Sequence, residues 1–239
     1  MSNNYFRFKQ FTIHQDKCAM KVCTDACLFG AWSAFHSPLT THHSLDIGTG
    51  TGVLSLMFAQ QNQDVEIDAV EIDTTAAGQA KENFQASPWK ERLNIYNSSI
   101  REFADRAKTN YDLIISNPPF YENDLKSDDQ KRNLALHSAA LTLEGLMDIA
   151  DILLKDDGNF FVLLPHHRTE NCIQLSRQKF FVKEKIFIQQ TSRHNYFRSI
   201  LWLSRQPAIT AQSYITIMND AGKYTDEFIA LLKDYYLYL

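Results

Sequence analysis

The sequence predicts an α/β fold built on a doubly wound, mainly parallel sheet with an antiparallel hairpin at one edge. Three observations carry this. Between residues 44 and 165 short apolar runs alternate with segments of helical period, and the runs are apolar on both faces. Beyond Pro165 two long strand-like runs follow one another across a short polar turn. Alternation of this kind makes a Rossmann-like sheet covered by helices on both sides. At 239 residues the chain has room for one large α/β domain and little for two. Residues 1–239 therefore read as a single domain, with 1–40 an N-terminal extension packed on it.

The elements follow in order. The N-terminal segment alternates Tyr5, Phe6, Phe8, Phe11 and Ile13, then gives way to a helix over 24–35 with Thr24 as its N-cap. Strands are expected at "SLDIG", "EIDAVEI", "LNIY", "YDLIIS" and "NFFVLLP", and helices between them over 53–61, 75–85 and 143–154. After Pro165 come a helix over 168–179 and the strands "VKEKIFIQQ" and "FRSILWLS". The ending "YTDEFIALLKDYYLYL" puts Phe228, Leu231, Leu232 and Tyr235 at helical spacing, the pattern of a docked amphipathic helix.

Composition excludes several classes. Hydrophobic residues make up 44% and charged residues 22%, ordinary values for a globular chain, and no apolar run is long enough to cross a bilayer. The start "MSNNYFRFKQF" has no apolar export signal, so a cytoplasmic location is expected. Cys18, Cys23, Cys27 and Cys172 fit no zinc spacing and read as reduced thiols; Cys23 and Cys27 share a helix face, but no nearby His completes a metal site. No metal is expected, and no obligate protein partner is evident. Net charge is only −4, yet residues 168–205 carry eight cations against Glu170 and Glu184, a local excess of six. That excess is either a solvated face or a phosphate-binding surface.

Chemistry enters at "LDIGTGTGVL". A strand ends at Ile47, glycines follow at 48, 50 and 52, and a helix begins at once. Without Cβ atoms the backbone amides can approach a ligand, and the helix N-terminus adds partial positive charge. The spacing G-x-G-x-G differs from the G-x-G-x-x-G of dinucleotide folds, which turns the reading away from NAD, although a tight strand-to-helix turn uses glycine for purely structural reasons too. In "AVEID", Glu71 ends the next strand nineteen residues after Gly52 and can accept both hydroxyl hydrogens of a ribose. Asp73 falls on the opposite face, entering the next helix.

The stretch "DLIISNPPFYEND" supplies the third signal. Asn117 precedes proline and is held extended, while Pro118 and Pro119 fix their φ angles and offer carbonyls without N–H groups. The Asn117 side-chain oxygen and the Pro118 carbonyl can accept both hydrogens of one planar NH2 group, with Phe120 as a stacking plane. Such a pair of acceptors localises the nitrogen lone pair and aims it at an electrophile without any covalent intermediate.

In this order, "DIGTGTG", "VEID" and "NPPF" resemble the S-adenosylmethionine-dependent methyltransferases that modify exocyclic amines of nucleobases or the side-chain amide of glutamine. The resemblance implies S-adenosyl-L-methionine as cofactor, with Asp46, Gly48, Gly50 and Gly52 beside its methionine portion, Glu71 on its ribose, and Asn117, Pro118, Pro119 and Phe120 around the target nitrogen, Asn117 also bordering the cofactor. The ends narrow it further. "FRFKQFTIHQDKCAMKVCTDACLFGAW" and "YTDEFIALLKDYYLYL" are similar to the bacterial tRNA(Val) adenine-37 N6-methyltransferases. That family implies Lys21, Thr24 and Asp25 closing over the cofactor, although a helix cap and a surface pair account for the last two equally well. Where relatives often carry an acid, this chain has "NSSIREF", so Ser99 and Ile100 would serve the adenine ring of the cofactor without supplying charge.

The expected activity is methyl transfer to N6 of an adenine in tRNA, with RNA contacts at Tyr121, Arg168, Arg193 and Arg198. The polar stretch after the motif reads as a loop ordered by RNA or as an ordinary surface loop. A glutamine methyltransferase shares the motif, but its usual N-terminal helical domain has no counterpart in the forty residues before the glycine strand. A DNA adenine methyltransferase lacks room here for a target-recognition domain. A binding module without turnover would have no use for a rigid double acceptor.

Overall fold

The computed structural model describes residues 3–18, 21–118 and 141–239. Its centre is an eight-stranded sheet. Seven of those strands and the helices between them occupy β3 (His43–Ile47), α2 (Val53–Gln61), β4 (Glu66–Glu71), α3 (Thr74–Gln85), β5 (Leu93–Asn97), α4 (Ile100–Arg106), β6 (Tyr111–Ser116), α5 (Leu143–Leu153), β7 (Leu154–Pro165), α6 (Thr169–Ser176), β8 (Phe181–Gln189) and β9 (Tyr196–Ser204). The eighth is β10 (Ala211–Thr216), and α7 (Asp226–Leu232) follows it. Ahead of the sheet lie a small hairpin, β1 (Tyr5–Arg7) and β2 (Thr12–His14), and the helix α1 (Thr24–His36).

The spatial order is β10-β8-β9-β7-β6-β3-β4-β5. From β7 to β5 all pairings are parallel, while β9 runs antiparallel to both β7 and β8. The chain runs from β3 outward through β4 and β5, then returns to β6 on the other side of β3. That reversal makes the carboxyl ends of β3 and β6 a topological switch point, where open α/β sheets bind ligands.

Both faces are buried, as the doubly apolar strands require. Along β7, Phe161 and Leu163 pack with α1 and α2 residues such as Trp32, Met57 and Phe58, while Phe160, Val162 and Leu164 pack with Leu146 and Met147 of α5. The α1 and α2 helices approach closely at Gly30, where an added Cβ would lie 2.8 Å from the Met57 sulfur. Phe8, Phe11 and Ile13 belong to the same core cluster as α1 and α2. The Lys9 N–H donates to the Tyr235 carbonyl (2.8 Å), joining the hairpin to the last turn after α7.

Most expected elements stand within a residue or two of their expected bounds, and the antiparallel hairpin is present as β8 and β9. Five details differ: β7 begins at Leu154, ahead of the expected "NFFVLLP", α4 has no counterpart among the expected helices, and three more follow. The residue capping α1 is Cys23, extended at φ −125°, so Thr24 opens the helix instead of capping it. The helix expected over 168–179 is shorter, a 3-10 turn His166–Arg168 leading into Thr169–Ser176. Outside the hairpin lies one further strand, β10, parallel to β8. Its sequence "AQSYIT" alternates over too few residues to have been recognised.

Candidate functional site

The site grows from the end of β3. All three glycines of the turn have positive φ, 74° at Gly48, 57° at Gly50 and 85° at Gly52. At Gly52 the reason is doubled, because an added Cβ would lie 2.4 Å from Phe84 Cε1 on α3. At Gly48 and Gly50 an added Cβ would meet nothing within 4 Å, so the loop faces open space. The turn is held from beneath by Gly48 N–H and Thr49 N–H donating to the Val70 carbonyl (2.9 and 3.2 Å).

Two carboxylates frame this loop. Asp46 is fully buried and accepts hydrogen bonds at Oδ2 from Thr49 Oγ1 (2.6 Å) and Ser55 Oγ (2.7 Å), while Oδ1 has no partner. Burial pushes its carboxyl up to about 6; the two hydroxyls oppose the rise, and the Glu71 charge adds to it. Glu71, at the end of β4, accepts from Gly50 N–H at Oε2 and from Asp73 N–H at Oε1, both 2.9 Å. Asp73 is occupied as the N-cap of α3, accepting from Ala76 N–H at 2.7 Å. Hence Glu71 is the acid that meets the loop.

Asn117 comes next to this group through sheet register. Ile47 of β3 pairs with Ser116 of β6, and Ser116 Oγ donates to the Ile47 carbonyl (2.9 Å), so Asn117 follows directly beside Gly48. Asn117 is partly exposed and Pro118 is buried. Pro119, Phe120 and Tyr121 lie outside the described residues.

Ser99 and Ile100 stand at the same edge, after β5. Ser99 caps α4 in a reciprocal box: its Oγ accepts from Glu102 N–H (3.2 Å) and donates to Glu102 Oε2 (3.0 Å). The hydroxyl is therefore already committed locally. Ile100 is buried as the first residue of that helix.

The N-terminal residues lie differently from one another. Lys21 Nζ donates to the Asn3 carbonyl (3.1 Å), and Thr24 is exposed. Asp25 turns inward, its Oδ2 accepting from Arg198 Nε at 2.6 Å. Burial alone would raise the Asp25 carboxyl, but hydrogen bonds from Cys23 and Arg198 more than offset it and hold it below the usual carboxylate range. A residue expected at the cofactor and one expected at RNA thus neutralise each other. Arg193 likewise donates to Asp220 Oδ2 (3.1 Å), while Arg168 closes the 3-10 turn after β7. With Lys179 on Asp148 and Arg205 on Asp151, four of the eight cations in 168–205 pair with acids from outside that stretch. The local positive excess is much reduced in space.

Several residues that hold the site gave weak sequence signals. Asn83 and Gln79, buried on α3, bind the end of β2 and the segment after it: Asn83 exchanges hydrogen bonds with His14 N–H and carbonyl (2.9 and 3.0 Å) and donates to the Thr51 carbonyl (2.9 Å), and Gln79 accepts from Lys17 N–H (3.0 Å). Gln15 accepts from Val22 N–H at 2.8 Å, a bond between the two described ends of the strap that follows β2. The strap brings Cys18 near Glu71 and Asp73; burial, then those negative charges, push its thiol up to about 11. The visible clue was polar Gln79 and Asn83 four apart on a helix that also buries Ala80 and Phe84. Among the described residues no cluster of His, Cys, Asp or Glu is arranged to hold a metal, and no helix is long and apolar enough to cross a membrane.

The chain is similar to known proteins along most of its length. Residues 32–170 match the family model for the methyltransferase small domain. A "tRNA1(Val) (adenine(37)-N6)-methyltransferase" of Flavobacterium psychrophilum is 42% identical over 234 residues, covering 97% of this chain and 99% of the relative. Another protein of that name, from Proteus mirabilis, is 41% identical over 98% of this chain and 94% of its own. A solved structure of a "predicted O-methyltransferase" from Agrobacterium tumefaciens superposes with a TM-score of 0.69 at 15% identity, over 88% of this chain and 96% of that one. The shared architecture is the class I methyltransferase fold.

Proposed function

The chain belongs to the methyltransferase small domain family, and from that premise we propose that it transfers a methyl group from S-adenosyl-L-methionine to N6 of adenine 37 in tRNA(Val). The observation that carries the reading is the adjacency of two unlike devices at one switch point: a glycine loop open to a ligand beside Glu71, and Asn117-Pro118 one strand away. The substrate assignment is supported by relatives of that name at about 40% identity along nearly the whole chain. A tRNA substrate implies a cytoplasmic enzyme.

The residues present fit the cofactor. Open space over Gly48 and Gly50 leaves room for its amino-acid portion, and the unpaired Oδ1 of Asp46 leaves a buried acceptor in a negative setting for a cationic ligand. Glu71 would exchange its bond to Gly50 for ribose hydroxyls, and Ile100 would border the adenine. Ser99 would contribute mainly by fixing α4, since its hydroxyl is spent on the capping box. Lys21, Thr24 and Asp25 belong to the strap and helix start that would close this side, Asp25 acting through Arg198. When bound, S-adenosylmethionine supplies an electrophilic methyl group.

The work of the protein is then positioning. Asn117 and the Pro118 carbonyl accept the two N6 hydrogens, turn the nitrogen lone pair toward the methyl group and disperse the positive charge that develops on nitrogen. Pro119 and Phe120 complete that grip in this reading, and Tyr121 and Arg168 would meet the RNA beside it. An adenine in an anticodon loop leaves its stack more readily than one in a duplex. Residues 1–239 act as one domain, with 1–40 packed on it; the shared core of Phe8, Phe11, Ile13 and α1 supports this.

The test is radiolabelled methyl transfer to total tRNA lacking the modification, followed by nucleoside mapping. Label in N6-methyladenosine of tRNA(Val), reduced roughly a hundredfold or more in kcat by Asn117→Ala with cofactor affinity retained, is the expected result. Label in protein, or in another base, would overturn the substrate.

A further inference from the structure

The edge that carries Asn117 continues past β7 into a group of aromatic rings. His166 follows Pro165 at the end of β7; Phe187, Tyr196 and Tyr214 come from β8, β9 and β10. Tyr196 and Tyr214 stack at 5.7 Å with an interplanar angle of 30°, and Phe187 lies 5.5 Å from the first and 5.9 Å from the second. His166 meets Phe187 edge-on at 5.0 Å, and its Nδ1 is hydrogen-bonded to Ser199 Oγ (2.9 Å), which fixes the ring.

Register puts this group level with the target-binding motif. Ser116 pairs with Val162; two residues along β7, Leu164 pairs with Ser199, Ser199 with Phe187, and Phe187 with Tyr214. The Phe187–Tyr214 pair therefore stands at the height of residue 118. By strand spacing the rings on β9, β8 and β10 lie about 10 to 20 Å across the sheet from β6, a span that an unstacked RNA loop covers within a few nucleotides. A bulge directs one of them. Ile188 pairs with Arg198 but the adjacent Gln189 pairs with Tyr196, so Phe197 is the extra residue, and Tyr196 turns to the face that holds Phe187.

Nothing in the core requires these rings. Tyr214 is 48% exposed and the bulged Phe197 39% exposed, whereas the aliphatic residues of the same strands, Ile186, Ile188 and Ile215, are sealed on the opposite face. His167, Arg168, Arg193 and His194 stand in the turns at the same end of the sheet, where Arg193 pairs with Asp220 and Arg198 with Asp25. Planar rings with polar handles and a mildly cationic border suit a nucleobase with its phosphate better than an aliphatic peptide.

We propose that Phe187, Tyr196 and Tyr214, with His166 edge-on to them, form a stacking ledge for an unpaired base flanking the target adenine, an inference that rests on the tRNA reading above. Because Arg193 and Arg198 at this end are already paired with acids, the ledge contributes by stacking more than by phosphate neutralisation. Its effect is therefore only weakly dependent on salt.

The experiment compares Tyr196→Ala, Tyr214→Ala and the double variant with Tyr196→Phe and Tyr214→Phe, using tRNA carrying an unmodified adenine 37 and, separately, a single-stranded decaribonucleotide. Each alanine variant should raise KM for tRNA on the order of tenfold, keep kcat and cofactor affinity, and leave the slope of log affinity against log salt unchanged. The phenylalanine variants should behave as wild type, which separates loss of stacking from loss of fold. Unchanged KM in both alanine variants, with wild type active on tRNA, overturns the ledge alone. If wild type methylates no tRNA, the substrate reading fails, and equal decamer affinity of wild type and double variant then removes the ledge as well. Conversion of a dimer to a monomer by Tyr214→Ala without a change in KM would assign the rings to a second copy of the chain and also overturn the proposal.

Discussion

The two sides of the sheet edge are stabilised in opposite ways. Around β3, β4 and β5 the polar contacts stay among the glycine turn and neighbouring strand ends: Asp46 to Thr49 and Ser55, Ser99 to Glu102, and Glu71 to Gly50 of the adjacent turn. No cation pairs with Asp46 or Glu71 in the hydrogen bonds described for them. Around β7, β9, β8 and β10 cations predominate in the chain, but acids from distant segments neutralise them, Asp25 reaching Arg198 across 173 residues. One side keeps buried acceptors unspent beside an open glycine loop. The other presents rings on a largely neutralised surface. A ligand with a positive charge and hydroxyls suits the first, and an unstacked base suits the second.

The largest way to break the first side is Gly52→Ala. It sets a non-glycine residue at φ 85° and a Cβ 2.4 Å from Phe84 Cε1. Strain and overpacking together should cost about 3 kcal/mol or more. Thermal unfolding should show it, and adding Phe84→Ala should cost less than the sum of the two singles because the clash is gone. An additive pair would mean that φ alone is responsible.

Asp46 and Asp25 sharpen the comparison through pH. The Asp46 carboxyl is raised from 3.8 to about 6, so its contribution to stability is fully present below about 4 and is lost as pH rises through 6. Two pH units correspond to about 3 kcal/mol at most. Asp46→Asn should therefore gain on wild type by up to that amount between pH 4 and pH 8, read from urea unfolding across the range. A difference that stays constant with pH would show that the fold leaves the Asp46 carboxyl at its unfolded pKa, and would remove the buried, raised carboxyl from this account. Asp25 has the opposite sign: its carboxyl is held down, so its contribution is present above the usual carboxylate range and fades as pH falls below it.

These differences also decide what could be read from sequence. The glycine turn, Glu71 and Asn117-Pro118 were legible because each device lies within a few residues and its chemistry follows from residue type. Asp73 is set apart from Glu71 by its place as the N-cap of α3; strand alternation puts residues 71 and 73 on one face, so the expectation of opposite faces rested on the wrong reason. The roles of Asp25 and Arg198 were not legible, since nothing in "CTDAC" or "YFRSI" says that they meet. The same holds for the neutralised basic stretch and for β10, whose six residues acquire meaning only beside β8. Asn83 and Gln79 were hidden for a related reason: a buried amide tying a strap to a loop carbonyl looks, in sequence, like an ordinary exposed helix face.

On the second side, Asp25→Ala leaves Arg198 without its carboxylate in a site where the arginine side chain is one-third exposed. Fully buried unpaired charges cost more, so about 2 kcal/mol is expected here. Asp25→Ala with Arg198→Met should recover part of it, and a double-mutant cycle by chemical denaturation measures the coupling. Zero coupling would sever the start of α1 from β9 and remove Asp25 as a positioning residue.

The smallest effect separates two readings of one hydroxyl. If Ser99 acts by capping α4, Ser99→Ala should lower stability by about 1 kcal/mol and change cofactor affinity little, because Ile100 and the backbone at the end of β5 remain. Ser99→Asp keeps a side-chain acceptor for the Glu102 N–H but brings a second carboxylate beside Glu102, so it should restore only part of the cap. Calorimetry of cofactor binding alongside thermal unfolding distinguishes the roles. A fall in affinity with unchanged melting temperature in Ser99→Ala would mean that the hydroxyl leaves the capping box to meet the adenine. This edge would then rearrange on ligand binding, whereas unchanged affinity keeps α4 as a fixed wall.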